Sequence, residues 1–359
     1  MSDGRAIALR VVSAERPLRA VGEFARDGAA NLAAASIGPR DIRFVRTLRV
    51  SVTDHCNLRC VYCMPEDGVE WLPREDLLSY EEITEVARVA IDLGVLDFKI
   101  TGGEPLVRQD VPDLVRMLRQ LPGIGEISLT TNGMLLERFA APLAEAGINR
   151  VTVSLDTLNA DRFRQITRTG DLDRVWRGIE AAERHGLGPV KLNCVVLRGQ
   201  NFDEVADFAA LTVDSARTVR FIEFMPLGQS RTLLDGAAEF VAWGEMRERI
   251  EQAYGPLSPA DADVGSGPAR VFRIDGAKGR IGFIHAMSAP FCSTCNRMRL
   301  TPDGELRACL FDGGEVDLKP MLRPFAQPKA LQSAFVKSVT FKPDAHQSYG
   351  NRQMSRIGG

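Results

Sequence analysis

The chain has 359 residues, of which 45% are hydrophobic and 26% charged, with a formal net charge of −2. That balance belongs to a folded globular protein and excludes a disordered one; the near-neutral charge argues against a nucleic-acid footprint spread over the surface. The length suits one large barrel with an appendage, and no run approaches the ~20 apolar residues that span a bilayer.

Residues 1–46 read as an Ala- and Arg-rich leader, floppy or weakly helical. It has no apolar signal-peptide core, and Asp3, Glu15, Glu23 and Asp27 weaken a transit-peptide reading. A cytoplasmic location is the expectation. From residue 47 to 225, short apolar runs alternate with amphipathic segments. Strands are expected at 48–53, 96–101, 126–130, 150–155, 190–196 and 218–224. Helices are expected at 79–93, 110–121, 135–146, 172–185 and 203–213, one in each gap. Ser79 and Glu82 make a capping box, and Gly94 stands where a C-cap glycine belongs. The strands read as largely apolar, as in a parallel sheet covered by helices. The fold class is α/β, a partial (incomplete) TIM barrel of six βα units whose chemistry sits at the C-terminal ends of the strands.

Residues 226–359 read as an α+β extension. A helix is expected near 240–254, then an irregular loop over 255–269, then hairpins turning at 275–279 and 302–304.

Seven cysteines fall into two groups of three and one alone. Such clustering in a chain without an export signal points to metal and not to cystine. Cys56, Cys60 and Cys63 follow the first strand as C-x3-C-x2-C. Soft thiolates suit iron–sulfur clusters or zinc. A structural zinc site wants four ligands, and this loop offers three. A [4Fe–4S] cluster held by three cysteines keeps one iron open for the amino and carboxylate groups of S-adenosylmethionine. One electron can then cleave the sulfonium and release a deoxyadenosyl radical.

The cysteine loop, with Tyr62 before its last cysteine, and the turn Gly102-Gly103-Glu104-Pro105 after the second strand resemble the radical S-adenosylmethionine (SAM) superfamily. Glycine in that turn is expected to expose backbone to a ligand. Cys292, Cys295 and Cys309 form a second set, C-x2-C-x13-C, with a hairpin that returns the third thiol to the first two. Three ligands again leave an iron free, here to hold a substrate, and Arg297 and Arg299 offer planar donor forks for phosphate or base edges. Cys194 lies in an apolar strand and reads as a buried structural thiol.

Both clusters, with Leu48 to Asp54, Thr130-Thr131-Asn132-Gly133, Phe221 to Pro226 and the terminal Gly358-Gly359, resemble the GTP 3′,8-cyclase family of molybdenum cofactor biosynthesis. The resemblance implies two [4Fe–4S] clusters and S-adenosylmethionine as cofactors. It implies removal of the ribose 3′ hydrogen of GTP and attack of that carbon on guanine C8. Tyr62, Gly103, Ser154 and Met225 would contact S-adenosylmethionine. Arg49, Lys99, Thr130, Lys191, Arg220, Arg297 and Arg299 would line the GTP site, with the Gly358-Gly359 tail reaching into it. A homodimer, a flavodoxin- or ferredoxin-type reductant and action ahead of cyclic pyranopterin monophosphate synthase are implied as well. The run Asp97-Phe98-Lys99 is less basic than the family's usual version.

Two rival readings differ in class. A peptide-modifying radical SAM enzyme would carry more cysteines in its C-terminal module. A zinc-stabilised nucleic-acid-binding module would show four-ligand sites and a basic surface.

Overall fold

The computed structural model describes residues 37–227, 236–261, 267–311, 315–346, 352 and 354–358. Most of the expected leader, and Gly359, lie outside the described residues.

Six parallel strands pair in chain order: β1 (Thr47–Ser51), β2 (Asp97–Thr101), β3 (Ile127–Thr131), β4 (Arg150–Ser154), β5 (Lys191–Val196) and β6 (Thr218–Glu223). Each strand has two different faces, because successive side chains point to opposite sides. Leu48, Val50, Phe98, Ile100, Leu129, Val153, Leu192 and Phe221 are fully buried on the helix side. The opposite face carries Arg49, Lys99, Ser128, Thr152, Asn193 and Arg220. The strands are therefore apolar on one face, and the expectation of largely apolar strands holds for that face only. The second face lines a space.

The helices α1 (Tyr80–Asp92), α2 (Val111–Arg119), α3 (Leu136–Ala146), α4 (Ala160–Thr167), α5 (Leu172–Arg184) and α6 (Val205–Ala210) fill the gaps between strands. The Ser79–Glu82 capping box at α1 is present in both directions. One expectation is corrected: the gap between β4 and β5 holds two helices. The Asn159 side chain caps α4 by accepting the Arg162 N–H at 2.9 Å, and Phe163, Ile166 and Thr167 bury its inner face.

Beyond β6 come α7 (Gly236–Glu239), α8 (Trp243–Tyr254), β7 (Ser258–Pro259), β8 (Arg270–Arg273), β9 (Arg280–Ile284), β10 (Arg297–Leu300), β11 (Glu305–Arg307) and β12 (Val316–Asp317). Both expected hairpins form, β8 with β9 and β10 with β11. Sequence periodicity did not indicate their neighbours. β9 pairs parallel to β6, and β10 pairs parallel to β1. One twelve-stranded sheet results, extended at both edges by the C-terminal segment. The helices α9 (Lys319–Leu322), α10 (Pro328–Val339) and α11 (Met354–Ile357) complete the described chain.

The sheet curls. Lys99 on β2 and Arg220 on β6 both donate to the Thr152 hydroxyl on β4, at 3.2 and 3.1 Å. In a flat sheet β2 and β6 would lie ~19 Å apart. No described helix is long and apolar enough to cross a membrane.

Candidate functional site

The first cysteine loop leaves the C-terminal end of β1 and rests on α4. The N–H groups of Arg59 and Val61 donate to the Thr167 and Ile166 carbonyls, at 3.0 and 2.9 Å. Arg168, held at φ +63°, donates from Nη1 to the Arg59 carbonyl at 2.8 Å and the Met64 carbonyl at 3.0 Å. The Thr169 hydroxyl donates to the Asn57 carbonyl at 3.0 Å. The segment joining α4 to α5 thus clamps the loop at both ends of its cysteines.

Gly102 and Gly103 also have a packing role within the fold. A Cβ on Gly103 would lie 2.4 Å from the Asp54 and His55 carbonyl oxygens, and one on Gly102 would lie 2.7 Å from the Thr53 oxygen. The glycines let this turn meet the start of the cysteine loop backbone to backbone. Gly103 and Glu104 donate their N–H groups to the Thr53 and His55 carbonyls, at 2.7 and 2.8 Å.

Buried carboxylates join neighbouring strand ends. Glu104, fully buried, accepts the Thr131 hydroxyl at 2.7 Å and the Asn132 N–H at 2.6 Å. Burial pushes it up to about 7. Asp156 accepts the Tyr62 hydroxyl at 2.7 Å and the Val195 N–H at 2.9 Å, and burial pushes it up to about 6. Glu223 accepts the N–H groups of Trp243, Met287 and Ser288, at 3.0, 2.8 and 2.9 Å. Cys194 is buried, with its Sγ 3.7 Å from the Asp156 carbonyl, which matches the structural-thiol reading.

Burial, with the Glu104 charge nearby, pushes the Cys56 thiol up to about 11. Burial and its fellow thiol Cys56 push Cys63 up to about 12, and Cys60 also lies well above the ordinary thiol value. The Leu58 N–H points at Cys56 Sγ from 3.4 Å. Three soft donors on one loop whose ionised forms are disfavoured fit a group that supplies positive charge. Among the described residues no three ligating side chains converge as they do on a single metal ion. A cubane seats its thiolates on separate irons and therefore farther apart.

The inner sheet face walls an open cavity that encloses about 1660 Å³, the solvent at its mouth included. Arg49, Lys99, Lys191, Arg220, Arg297, Arg299 and Met225 all line it, together with Cys292, Cys295 and Cys309. Burial lowers the Lys99 ammonium well below its ordinary value, with Arg220, Arg49, Lys191 and Arg150 adding repulsion. Burial and Arg297 bring Arg299 down to about 9. Buried cations that repel one another fit a polyanion. The Asn193 Oδ1 and Thr130 Oγ1 atoms are buried and make no hydrogen bond. The acids of the wall are engaged: Asp97 accepts the Glu126 N–H at 3.0 Å, and Glu126 pairs with Arg150.

Cys56, Cys60, Cys63, Tyr62, Gly103, Thr130 and Ser154 are not part of that wall. They stand in the cysteine loop, in the turn after β2 and near the C-terminal ends of β3 and β4. Gly358 is buried, and a Cβ there would lie 2.6 Å from Thr101 Cγ2 and 3.1 Å from Ser51 Cβ. Arg299 donates to its carbonyl and, at 3.3 Å, to that of Ile357.

At the second cysteine site burial raises Cys292, as at the first site, but Cys295 differs. Burial pushes the Cys295 thiol up, yet Arg297 and Lys342 outweigh it and hold it at about 7. Arg297 Nη2 lies 3.8 Å from Cys295 Sγ. Sequence reasoning missed Asp156, Arg168 and Lys342. Asp156 had a signal, an acid at the C-terminal end of a strand; Arg168 and Lys342 had none.

Residues 50–212 match the Radical SAM superfamily, and residues 217–348 match Molybdenum Cofactor Synthesis C. The GTP 3′,8-cyclase of Pelotomaculum thermopropionicum is 49% identical over 321 residues, covering 88% of this chain and 98% of the relative. That of Moorella thermoacetica gives the same identity and coverage. Streptococcus suis SuiB bound to precursor peptide SuiA superposes with a TM-score of 0.56 at 15% identity, over 85% of this chain and 66% of that one. This last likeness concerns the fold alone.

Proposed function

The chain belongs to the GTP 3′,8-cyclase family of radical SAM enzymes, and we propose that it converts GTP to 3′,8-cyclo-7,8-dihydro-GTP with two [4Fe–4S] clusters and S-adenosylmethionine. This is the opening reaction of molybdenum cofactor synthesis, ahead of cyclic pyranopterin monophosphate synthase. The observation that carries it is one cavity walled by both a cysteine triad and a row of buried and half-buried cations.

Cys56, Cys60 and Cys63 hold the first cluster and Cys292, Cys295 and Cys309 the second. With the first cluster and S-adenosylmethionine bound there, one electron passed to the sulfonium would yield the radical that removes the ribose 3′ hydrogen. The chain's own residues position the reactants. Tyr62, fixed by Asp156, together with Gly103, Ser154 and Met225, contacts S-adenosylmethionine. Arg49, Lys99, Lys191 and Arg220 neutralise the triphosphate, and Thr130 offers its hydroxyl. Arg297 and Arg299 stand beside the second cluster, where the base is held. The close packing of Gly358 on Ser51 and Thr101 supports a Gly358-Gly359 tail that reaches into the active site.

The curled six-unit core is an incomplete barrel, with residues 226–359 as the module that carries the second cluster. A cytoplasmic homodimer served by a flavodoxin- or ferredoxin-type donor completes the reading. The open polar interior supports it, since a closed barrel packs its interior with apolar side chains.

The test is an anaerobic turnover of reconstituted protein with GTP, S-adenosylmethionine and dithionite, followed by mass spectrometry. Deoxyadenosine together with a product isomeric with GTP is expected. Deoxyadenosine formed independently of GTP, with no GTP-derived product, would send the assignment to another substrate, peptides first.

A further inference from the structure

A short segment to which the proposed mechanism gives no role lies against the second cysteine site and lines the same cavity. Lys342 follows α10 and is only 3% exposed. Its Nζ donates to the Cys295 carbonyl at 2.6 Å and lies 3.7 Å from Cys295 Sγ. Four residues on, His346 lines the same cavity as Cys292. Both ends of this strap are fixed. The Arg40 Nε donates to the Lys342 carbonyl at 2.8 Å. The His346 ring stacks on Phe311 with centroids 4.0 Å apart, and its Nε2 donates to the Ala286 carbonyl at 2.7 Å. One of the three thiols of the second site, Cys295, thus receives a donor from this strap. No acid pairs with the Lys342 ammonium at salt-bridge distance among the ion pairs of the described residues.

A cluster's reduction potential follows its net charge, the hydrogen bonds to its sulfurs and its exposure. An outer-shell donor fixed by its own partners also orients the ligand it touches. Reduction adds negative charge, which a fixed buried cation at a ligating sulfur stabilises more than it stabilises the oxidised form. A mere clip on the Cys295 carbonyl would be indifferent to that added charge.

We propose that Lys342 is a positioning residue of the second cluster: its ammonium, held by the 342–346 strap, keeps Cys295 ligating and raises that cluster's reduction potential. The proposal rests on Cys292, Cys295 and Cys309 holding a [4Fe–4S] cluster.

The experiment uses full-length protein reconstituted anaerobically, with Cys56, Cys60 and Cys63 replaced by alanine so that only the second cluster remains. Iron content and the Mössbauer spectrum come first. Absence of second-site iron there overturns the cluster reading itself, and the Lys342 role with it. With the cluster present, a potentiometric titration followed by electron paramagnetic resonance compares Lys342→Met and Lys342→Arg. The expected result is a midpoint moved to more negative values in Lys342→Met and restored toward the parent in Lys342→Arg. The first cluster, measured in a Cys292, Cys295 and Cys309 triple-alanine background, should not move. Second-site iron lost in Lys342→Met but kept in Lys342→Arg also supports the proposal. An unchanged midpoint in Lys342→Met at equal iron, or Lys342→Arg behaving like Lys342→Met, overturns it.

Discussion

The two cysteine sites use the same number of thiols in surroundings of opposite sign. Cys56, Cys60 and Cys63 sit near the buried acids Glu104 and Asp156, on a loop held by backbone carbonyls and glycine contacts. Cys292, Cys295 and Cys309 share their cavity with Arg297, Arg299 and Lys342. Negative surroundings resist added electrons and make a cluster a stronger reductant; positive surroundings do the reverse and favour anionic ligands. Ligand count alone therefore does not set the task of a site. On the proposed reading the neighbours divide the work, one site for reducing a sulfonium and the other for holding a nucleotide.

The sharpest way to break that contrast is to delete one site at a time. Cys56→Ala should abolish deoxyadenosine formation altogether. Cys309→Ala should keep some deoxyadenosine formation while losing the GTP-derived product. Mass spectrometry of both products decides it, and equal loss in the two variants would mean the sites are not functionally separate. Next in size is Arg220→Met, which removes one buried cation from the wall. A hydrogen bond to a charged group is worth about 1.5–3 kcal/mol, so the KM for GTP should rise ~10–100-fold. The KM for S-adenosylmethionine should stay put; a parallel rise would place Arg220 on the wrong side of the comparison.

Arg168→Ala tests the clamp under the first loop only. Loss of its two carbonyl contacts should cost about 1.5–3 kcal/mol. First-site iron should become easier to remove with a chelator while second-site iron is retained, as iron analysis of each single-cluster background would reveal. The smallest effect is expected from Gly358→Ala. A left-handed φ of +73° costs a residue with a Cβ about 1–2 kcal/mol, and that Cβ meets Thr101. Roughly ten-fold slower GTP conversion with unchanged S-adenosylmethionine binding is the outcome to check by steady-state kinetics.

Much of this was legible in the residues. The cysteine spacings, the capping box at Ser79 and the hairpin turns rest on local chemistry, which a sequence displays directly. The helix α4 escaped because eight residues give little periodicity, although Asn159 marked its start. The strand faces were misread because parallel strands are ordinarily buried on both sides. The alternation of Arg49, Lys99, Thr152 and Arg220 with apolar neighbours was there to be read. Partners of the outer strands were not readable at all. Periodicity tells which face of β9 or β10 is buried but not which strand lies beside it. Lys342 reaches Cys295 only through tertiary folding across 47 positions, and nothing local announces it.

The pairing of β10 with β1 also has a consequence for synthesis on the ribosome. The two strands are parallel neighbours, Thr47 opposite Arg297 and Val50 opposite Leu300. Until about residue 300 has emerged, β1 is an outer strand with an unpaired edge, the feature that recruits stray strands. Domains form as their chains are made, at ~5–20 residues per second, so this edge waits on the order of ten seconds for its neighbour. The segment that brings β10 to β1 is the one carrying Cys292 and Cys295. Completion of the sheet and assembly of the second thiol site are thereby one late event, and a chain stalled before it would be the aggregation-prone species.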